Sequence, residues 1–346
     1  MVSTREKPPR PKGVDGMKQF DFALAWNSGS KENFVKWARK ECSLRGAAFL
    51  LISENNVAKI IEGLEKGRLN IKFLLDNEAD YNDKKNLFAR LCYAVKDVGG
   101  RVVCDPDDAR QAANKAVTHY DLLNAKIPVP YTVVVRNWEP DDFRLTKEEL
   151  RLLKTPFIIK PASGFGQQGV VKNANGSLVE IAKARHFSRG DDFLIQEKIE
   201  PLIIASKPAW FRVYFLFGEI IPCWWIPENG QYSHVTLREM NSYRLLPLAR
   251  ITSEIARVTN MDFFSSEIAI TGLPKERRFV AIDYVNDQPE LCVRSEKVGA
   301  GPVAEVVQHI AERVVEVAWR MLKGVASAGM HRSIWLAKAR LEDESI

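Results

Sequence analysis

Along the first third of the chain, apolar residues switch between short continuous runs and a helical spacing. Phe20–Trp26 (FDFALAW), Ala47–Ile52, Ile71–Leu75 and Arg101–Cys104 are short apolar runs bounded by polar or glycine-rich turns, the pattern of buried strands. Between them, Lys31–Leu44 places Phe34, Trp37, Ala38 and Cys42 on one helical face. Val57–Lys66 and Lys85–Val98 are further helices, the second stopped by Gly99-Gly100. Strands and helices alternating at short intervals predict a small parallel α/β domain, closed by Asp105-Pro-Asp-Asp.

The pattern then changes. Gln111–Asn124 predicts one helix, ending before Ile127-Pro-Val-Pro130 and a strand at Tyr131–Val135. Residues 131–199 form a small α+β unit: a glycine-containing hairpin, a helix near Ser177–Arg185 and a strand at Phe193–Gln196. Strands at Phe211–Phe217, Ile220–Trp225, Ser265–Ile270 and Phe279–Tyr284 supply another unit, with helices near Leu246–Thr259 and Pro302–Leu322. An amphipathic tail helix is expected around Ile334–Leu341. The expected organisation is a disordered leader over 1–17, an N-terminal α/β domain over 18–112, a second domain over 113–324 containing the 131–199 subdomain, and a tail over 325–346.

Composition narrows the function. At 346 residues the chain can bury two or three cores, and no apolar run approaches the ~20 residues of a membrane span. The basic, Pro/Gly-rich start lacks the apolar segment of a secretory signal. Five scattered cysteines without CxxC spacing argue against a zinc site or disulfide framework and for a reducing, cytoplasmic setting. The five histidines form no paired ligand pattern. A net charge of +6, with no Lys/Arg block interleaved with aromatics, does not indicate nucleic acid and suits an anionic small ligand.

The richest chemistry lies in Phe157–Val171, an apolar strand carrying Lys160 that runs into Gly164-Phe-Gly166-Gln-Gln-Gly169. This matches the dinucleotide fingerprint GxGxxG, but that motif needs a helix to open at the third glycine. Here Val170-Val171-Lys172 and a turn follow, which read as a strand. The glycine loop of protein kinases is also a hairpin, but its lysine follows the loop, whereas Lys160 precedes it, and no HRD or DFG sequence is present. The remaining readings are a hairpin that folds backbone amides over phosphates beside a lysine charge, or an ordinary hairpin with a surface lysine.

The order of four motifs resembles the ATP-grasp superfamily, which includes D-alanine–D-alanine ligase, glutathione synthetase and the ribosomal-protein glutamate ligases. The first is Asn114-Lys115, a helix, and Ile127-Pro-Val-Pro130-Tyr-Thr132; the second is Phe157–Val171. The third is Phe193-Leu-Ile-Gln-Glu-Lys-Ile199, and the fourth is Ser265-Ser-Glu267 with Asp283-Tyr-Val-Asn286-Asp287. The resemblance covers roughly residues 114–322, and the last run is similar to that of a bacterial group within the superfamily.

It implies α/β and α+β architecture, an N-terminal parallel α/β domain followed by the two α+β subdomains of an ATP-grasp fold. It also implies ATP and Mg²⁺ as cofactors. Lys115 and Lys160 would bind phosphates, covered by Ser163, Gly164, Gly166 and Gly169. Gln196, Glu197, Lys198 and Ile199 would form the adenine hinge, with Glu197 taking the amino group. Glu267, Asp283 and Asn286 would hold the metal, and Arg212 would meet the transferred phosphate, making Arg212 and Lys160 the catalytic pair.

The chain departs from the family pattern in two ways. Glu267 stands where aspartate is usual, and Asp283 and Asn286 are three apart, which on a regular strand points them to opposite faces. Either a bulge at Tyr284-Val285 restores convergence, or Asp287 or Glu290 completes the set. Arg294 and Lys297 are candidates for a substrate carboxylate, while Trp224-Trp225 reads as core in preference to the lining of a substrate pocket.

The implied activity is a carboxylate–amine (or thiol) ligase acting through an acylphosphate on small-molecule substrates, with no membrane partner and a possible homodimer. The alternatives are a kinase of a polyol or inositol phosphate, and a non-catalytic nucleotide-binding protein with a degenerate metal site.

Overall fold

The computed structural model describes residues 17–27, 32–164, 166, 168–188, 190–273, 275–294, 299–325 and 333–335. The expected leader, apart from Met17, lies outside these residues.

Near the N-terminus four parallel strands stand in the order Phe49–Ile52, Phe22–Ala25, Phe73–Asp76 and Arg101–Val102. Side chains alternate across this sheet. Phe22, Leu24, Phe73 and Leu75 pack with Phe34, Val35, Ala38 and Cys42 of helix Asn33–Leu44. Ala23, Ala25 and Leu74 face Val57, Ile61 and Leu64 of helix Val57–Glu65, and Phe88 and Leu91 of helix Leu87–Asp97. A separate parallel pair joins Lys18–Phe20 to Leu69–Ile71.

The single helix expected over Gln111–Asn124 is two, Pro106–Ala113 and Lys115–Asn124. The break is chemical. Asn114 is extended, and its side-chain oxygen accepts from the Ala116 and Val117 amides, so it caps a new helix instead of continuing the old one.

The 131–199 unit is an antiparallel sheet in the order Thr132–Val135, Phe193–Gln196, Phe157–Pro161 and Val171–Ala174. Strand Val171–Ala174 directly after the loop is what excludes the dinucleotide-binding arrangement. Helix Leu178–His186 places Ile181 and Ala184 in the core of this unit. Lys147–Leu153 adds a helix, started by a Thr146–Glu149 capping box.

The largest sheet orders Gln231–His234, Glu219–Ile226, Trp210–Leu216, Phe263–Leu273 and Glu276–Asn286. Helix Leu246–Thr259 covers the face carrying Phe211 and Val213. Helix Ala304–Leu322 and the N-terminal sheet share the core holding Tyr214 and Leu216. Where a tail helix is expected to begin, Ser333–Ile334 instead pairs in parallel with Glu219–Ile226, and residues 336–346 lie outside the described set.

Candidate active site

A cavity of about 550 Å³ lies between the glycine-hairpin sheet and the largest sheet. Its charged end is a row built across three strands. Register places Arg212 opposite Glu267, and Glu267 opposite Asp283. The Arg212 guanidinium donates to Glu267 Oε1 at 2.5 Å and lies 4.7 Å from the Trp225 ring centre.

The irregular acid spacing is resolved by the backbone. Ser265 pairs with Asn286 and Glu267 with Asp283, so two residues on one strand span three on the other. This is the bulge at Tyr284-Val285, and it leaves Asp283 and Asn286 partly buried while Tyr284 and Val285 are buried. A second shift follows directly, since Ile268 pairs with Ala281.

Lys160 reaches this row from the hairpin sheet. Only 8% exposed, it donates from Nζ to the Ile282 carbonyl at 3.2 Å. Burial pushes the Lys160 ammonium below the usual lysine range, opposed by Asp283 and Glu267. Burial likewise raises Glu267, against the pull of Arg212. At Asp283 burial also favours the neutral acid, but Lys115, Lys160 and Arg212 together outweigh it and hold the carboxyl below its ordinary value. Asp283 Oδ1 is buried and has no hydrogen-bond partner among the described residues.

The glycine loop arches over this end. Gly164, Gly166 and Gly169 have φ of 149°, 61° and 70°, which side-chain-bearing residues rarely adopt. Gly169 is doubly constrained, because a Cβ there would stand 2.4 Å from the Phe187 ring. Lys115, in the first turn of the helix that Asn114 caps, donates from Nζ to the Gly164 carbonyl at 2.9 Å. Ser163 anchors the loop's entry: its amide and hydroxyl both donate to Asp191.

Elsewhere the cavity is lined by Ile158, Ile199 and Ile282 together with the charged Glu197, Lys198 and Glu200, and Gln196, 0% exposed, borders it from the hinge strand. Gln196 Nε2 donates to Thr132 Oγ1 and Tyr284 Oη, both at 3.1 Å, and Tyr284 Oη lies 2.7 Å from His119 Nδ1. Burial, helped by the Lys160 charge, pushes His119 down to about 4, so its ring is neutral near pH 7.

Of the residues singled out from sequence, Lys115, Lys160, Gly164, Gly166, Gln196, Glu197, Lys198, Ile199, Glu267 and Asp283 line the cavity. Ser163, Gly169, Arg212 and Asn286 do not, and the first three act through their contacts with Asp191, Phe187 and Glu267. The Glu197 carboxylate accepts from Lys154 Nζ at 2.9 Å. Lys198 Nζ bonds Asn173 Oδ1 at 3.2 Å.

Asp287 faces a separate small cleft with Asp76 and Tyr81, and Glu290 accepts from the Cys292 amide, so neither joins the row. Arg294 is exposed, and Lys297 lies outside the described residues. Trp224 is core, its ring tilted against Phe211, but Trp225 lines the cavity together with Trp210. Tyr284 and His119 escaped the sequence reading; an aromatic and a histidine on apolar faces carry no signal until the fold joins them.

Among the described residues no three His, Cys, Asp or Glu side chains gather as a metal site. The candidate cation position therefore rests on the two carboxylates Glu267 and Asp283, with remaining oxygens left to phosphate or water. No described helix is long and apolar enough to cross a membrane.

No family model matches the sequence, nor does any curated protein. Solved structures do. D-alanine–D-alanine ligase from Bacillus anthracis complexed with ATP is 13% identical, with a TM-score of 0.55, covering 89% of this chain and 99% of that one. The ATP-grasp ligase PsnB complexed with precursor peptide PsnA2 and AMPPNP is 12% identical, with a TM-score of 0.57 over 89% and 100% of the two chains. A RimK domain ATP-grasp protein from Sphaerobacter thermophilus DSM 20745 is 16% identical, with a TM-score of 0.57 over 85% and 98%. The chain shares the fold of the ATP-grasp ligases.

Proposed function

We propose that this chain is a magnesium- and ATP-dependent ligase that joins a carboxylate to an amine or thiol through an acylphosphate. The observation that carries the reading is the pair Glu267–Asp283, the first held by Arg212, facing one cavity with Lys160, Lys115 and the glycines of the loop, whose lining also includes Ile158, Ile199 and Ile282. The apolar lining suits a base, and the charged row suits a triphosphate.

Glu267 and the unpartnered Asp283 Oδ1 fit a hard cation, and these two carboxylates would hold Mg²⁺, with phosphate or water oxygens filling the remaining positions. When bound it would neutralise phosphate charge. Lys160 supports the same charge from the opposite sheet, and Arg212 orients Glu267 and pulls against the burial that raises its carboxyl. The substrate carboxylate attacks the γ-phosphorus and ADP leaves. The amine then attacks the acyl carbon and phosphate leaves. Closure of the loop, anchored by Ser163–Asp191 and Lys115–Gly164, keeps water from the acylphosphate.

Incubation with Mg²⁺-ATP, a panel of carboxylic acids and hydroxylamine tests this. Hydroxamate formed together with ADP supports the ligase. A stable phosphorylated alcohol with no hydroxamate would favour a kinase on the same fold. Nucleotide binding without turnover across the panel would favour a non-catalytic role.

A further inference from the structure

Arg212 is held by fewer hydrogen bonds than a guanidinium can make. It is only 8% exposed, and among the described residues it donates from Nη2 to Glu267 Oε1 at 2.5 Å, while its buried Nε has no partner. A bidentate pair would fix the plane of the group; one bond leaves that plane free to swing about it. A ring supplies the missing constraint. Arg212 pairs with Cys223 across the sheet, and Trp225, two residues further along the same strand, therefore stands on the same face. The guanidinium lies 4.7 Å from the Trp225 ring centre, within the range at which a cation is drawn to a π face, and the attraction grows where water is excluded.

Trp225 is itself fixed. It is 8% exposed and pairs in register with Tyr232, whose ring centre lies 6.5 Å away at 87°. The Trp210 ring meets it from the other side, 6.0 Å away at 67°. Glu267 and Trp225, the two partners of Arg212, both line the cavity, whereas Arg212 does not. We infer that Trp225 is a positioning residue: its ring holds the Arg212 guanidinium in the plane from which it donates to Glu267, and so keeps that carboxylate presented to magnesium. This rests on the magnesium and ATP reading above. Without the ring, the singly bonded guanidinium turns off Glu267 or draws it along, and a hard cation loses an oriented oxygen.

Because Trp225 also borders the cavity, direct contact with the ligand must be separated from an effect carried by Arg212, and a double-mutant cycle does so. Calorimetry gives the Mg²⁺-ATP affinity of the wild type, Trp225→Leu, Arg212→Met and the double variant. Trp225→Leu keeps apolar bulk without the ring, and should weaken binding about tenfold in the wild-type background. With Arg212→Met already present, the same change should cost less than about twofold. Equal losses in the two backgrounds would mean that Trp225 meets the ligand itself, and no loss in the first would mean that the ring does not matter; either overturns the inference and leaves the nucleotide site standing. Trp225→Phe retains a π face and should keep most of the affinity. If it falls as far as Trp225→Leu, the ring face is not what holds Arg212, and this comparison decides alone should Arg212→Met lose its circular dichroism spectrum. A wild type that does not bind Mg²⁺-ATP removes the site, and the inference with it.

Discussion

A charged end and a neutral end of this region are built from the same bulged strand by opposite means. Asp283 joins a row of full charges with Glu267, Arg212 and Lys160, while the next residue, Tyr284, joins the uncharged chain of Gln196, Thr132 and His119. The charged end gains long-range attraction but carries the desolvation of every ion in it. The neutral end gains little net energy per bond but has a direction at each one. A ligand with a charged tail and a flat polar head fits that division: one end supplies affinity, the other supplies choice.

The largest effect on this contrast should come from breaking the charged row. Glu267→Gln leaves Arg212 buried and unpaired, and is expected to cost about 3–5 kcal/mol in urea unfolding. A cost near zero would mean that the row is solvated and the contrast is overstated. A smaller change separates loop shape from loop charge. Gly169→Ala meets both a left-handed backbone and the Phe187 ring, whereas Gly166→Ala meets only the backbone, with nothing within 4 Å of its Cβ. The first should weaken nucleotide binding several-fold more than the second, whose strain alone is worth about 1–2 kcal/mol. Equal effects would remove Phe187 from the account.

A third effect lies in the hydrogen-bonded chain around Tyr284 and is read by pH. Folded His119 takes its proton only near pH 4, whereas an unfolded histidine takes one near pH 6.5. Between those values the unfolded chain binds more protons, so the histidine's contribution is present above about pH 6.5 and lost as pH falls towards 4. The difference between wild-type and His119→Asn stability curves isolates this residue from the carboxyls, such as Asp76, that burial raises. A difference that does not vary with pH over that window would place His119 in contact with water.

Much of this was legible in local pattern. The parallel sheet follows from apolar runs alternating with amphipathic helices, and the hairpin from the β-branched Val170-Val171 where a helix would otherwise start. Lys160 was legible because it stands on an apolar strand that runs into the glycine loop. What stayed hidden depends on register and on contacts distant in sequence. The bulge is a relation between two strands, so Asp283 and Asn286 could be read only as converging or diverging. Asn114 divides a helix through one side-chain cap that periodicity does not record. His119, Thr132, Gln196 and Tyr284 come from four different elements, and no local spacing announces them. The Ile334 strand borrows an edge from Glu219–Ile226, which an amphipathic count cannot foresee.

The central claim is that the charged end binds the phosphates of a nucleotide together with magnesium. Titrating ATP calorimetrically into the wild type and Lys160→Ala, with and without Mg²⁺, tests it most directly. The account predicts magnesium-dependent binding in the wild type that Lys160→Ala abolishes. Absence of ATP binding to the wild type, or binding indifferent to both magnesium and Lys160, would contradict it.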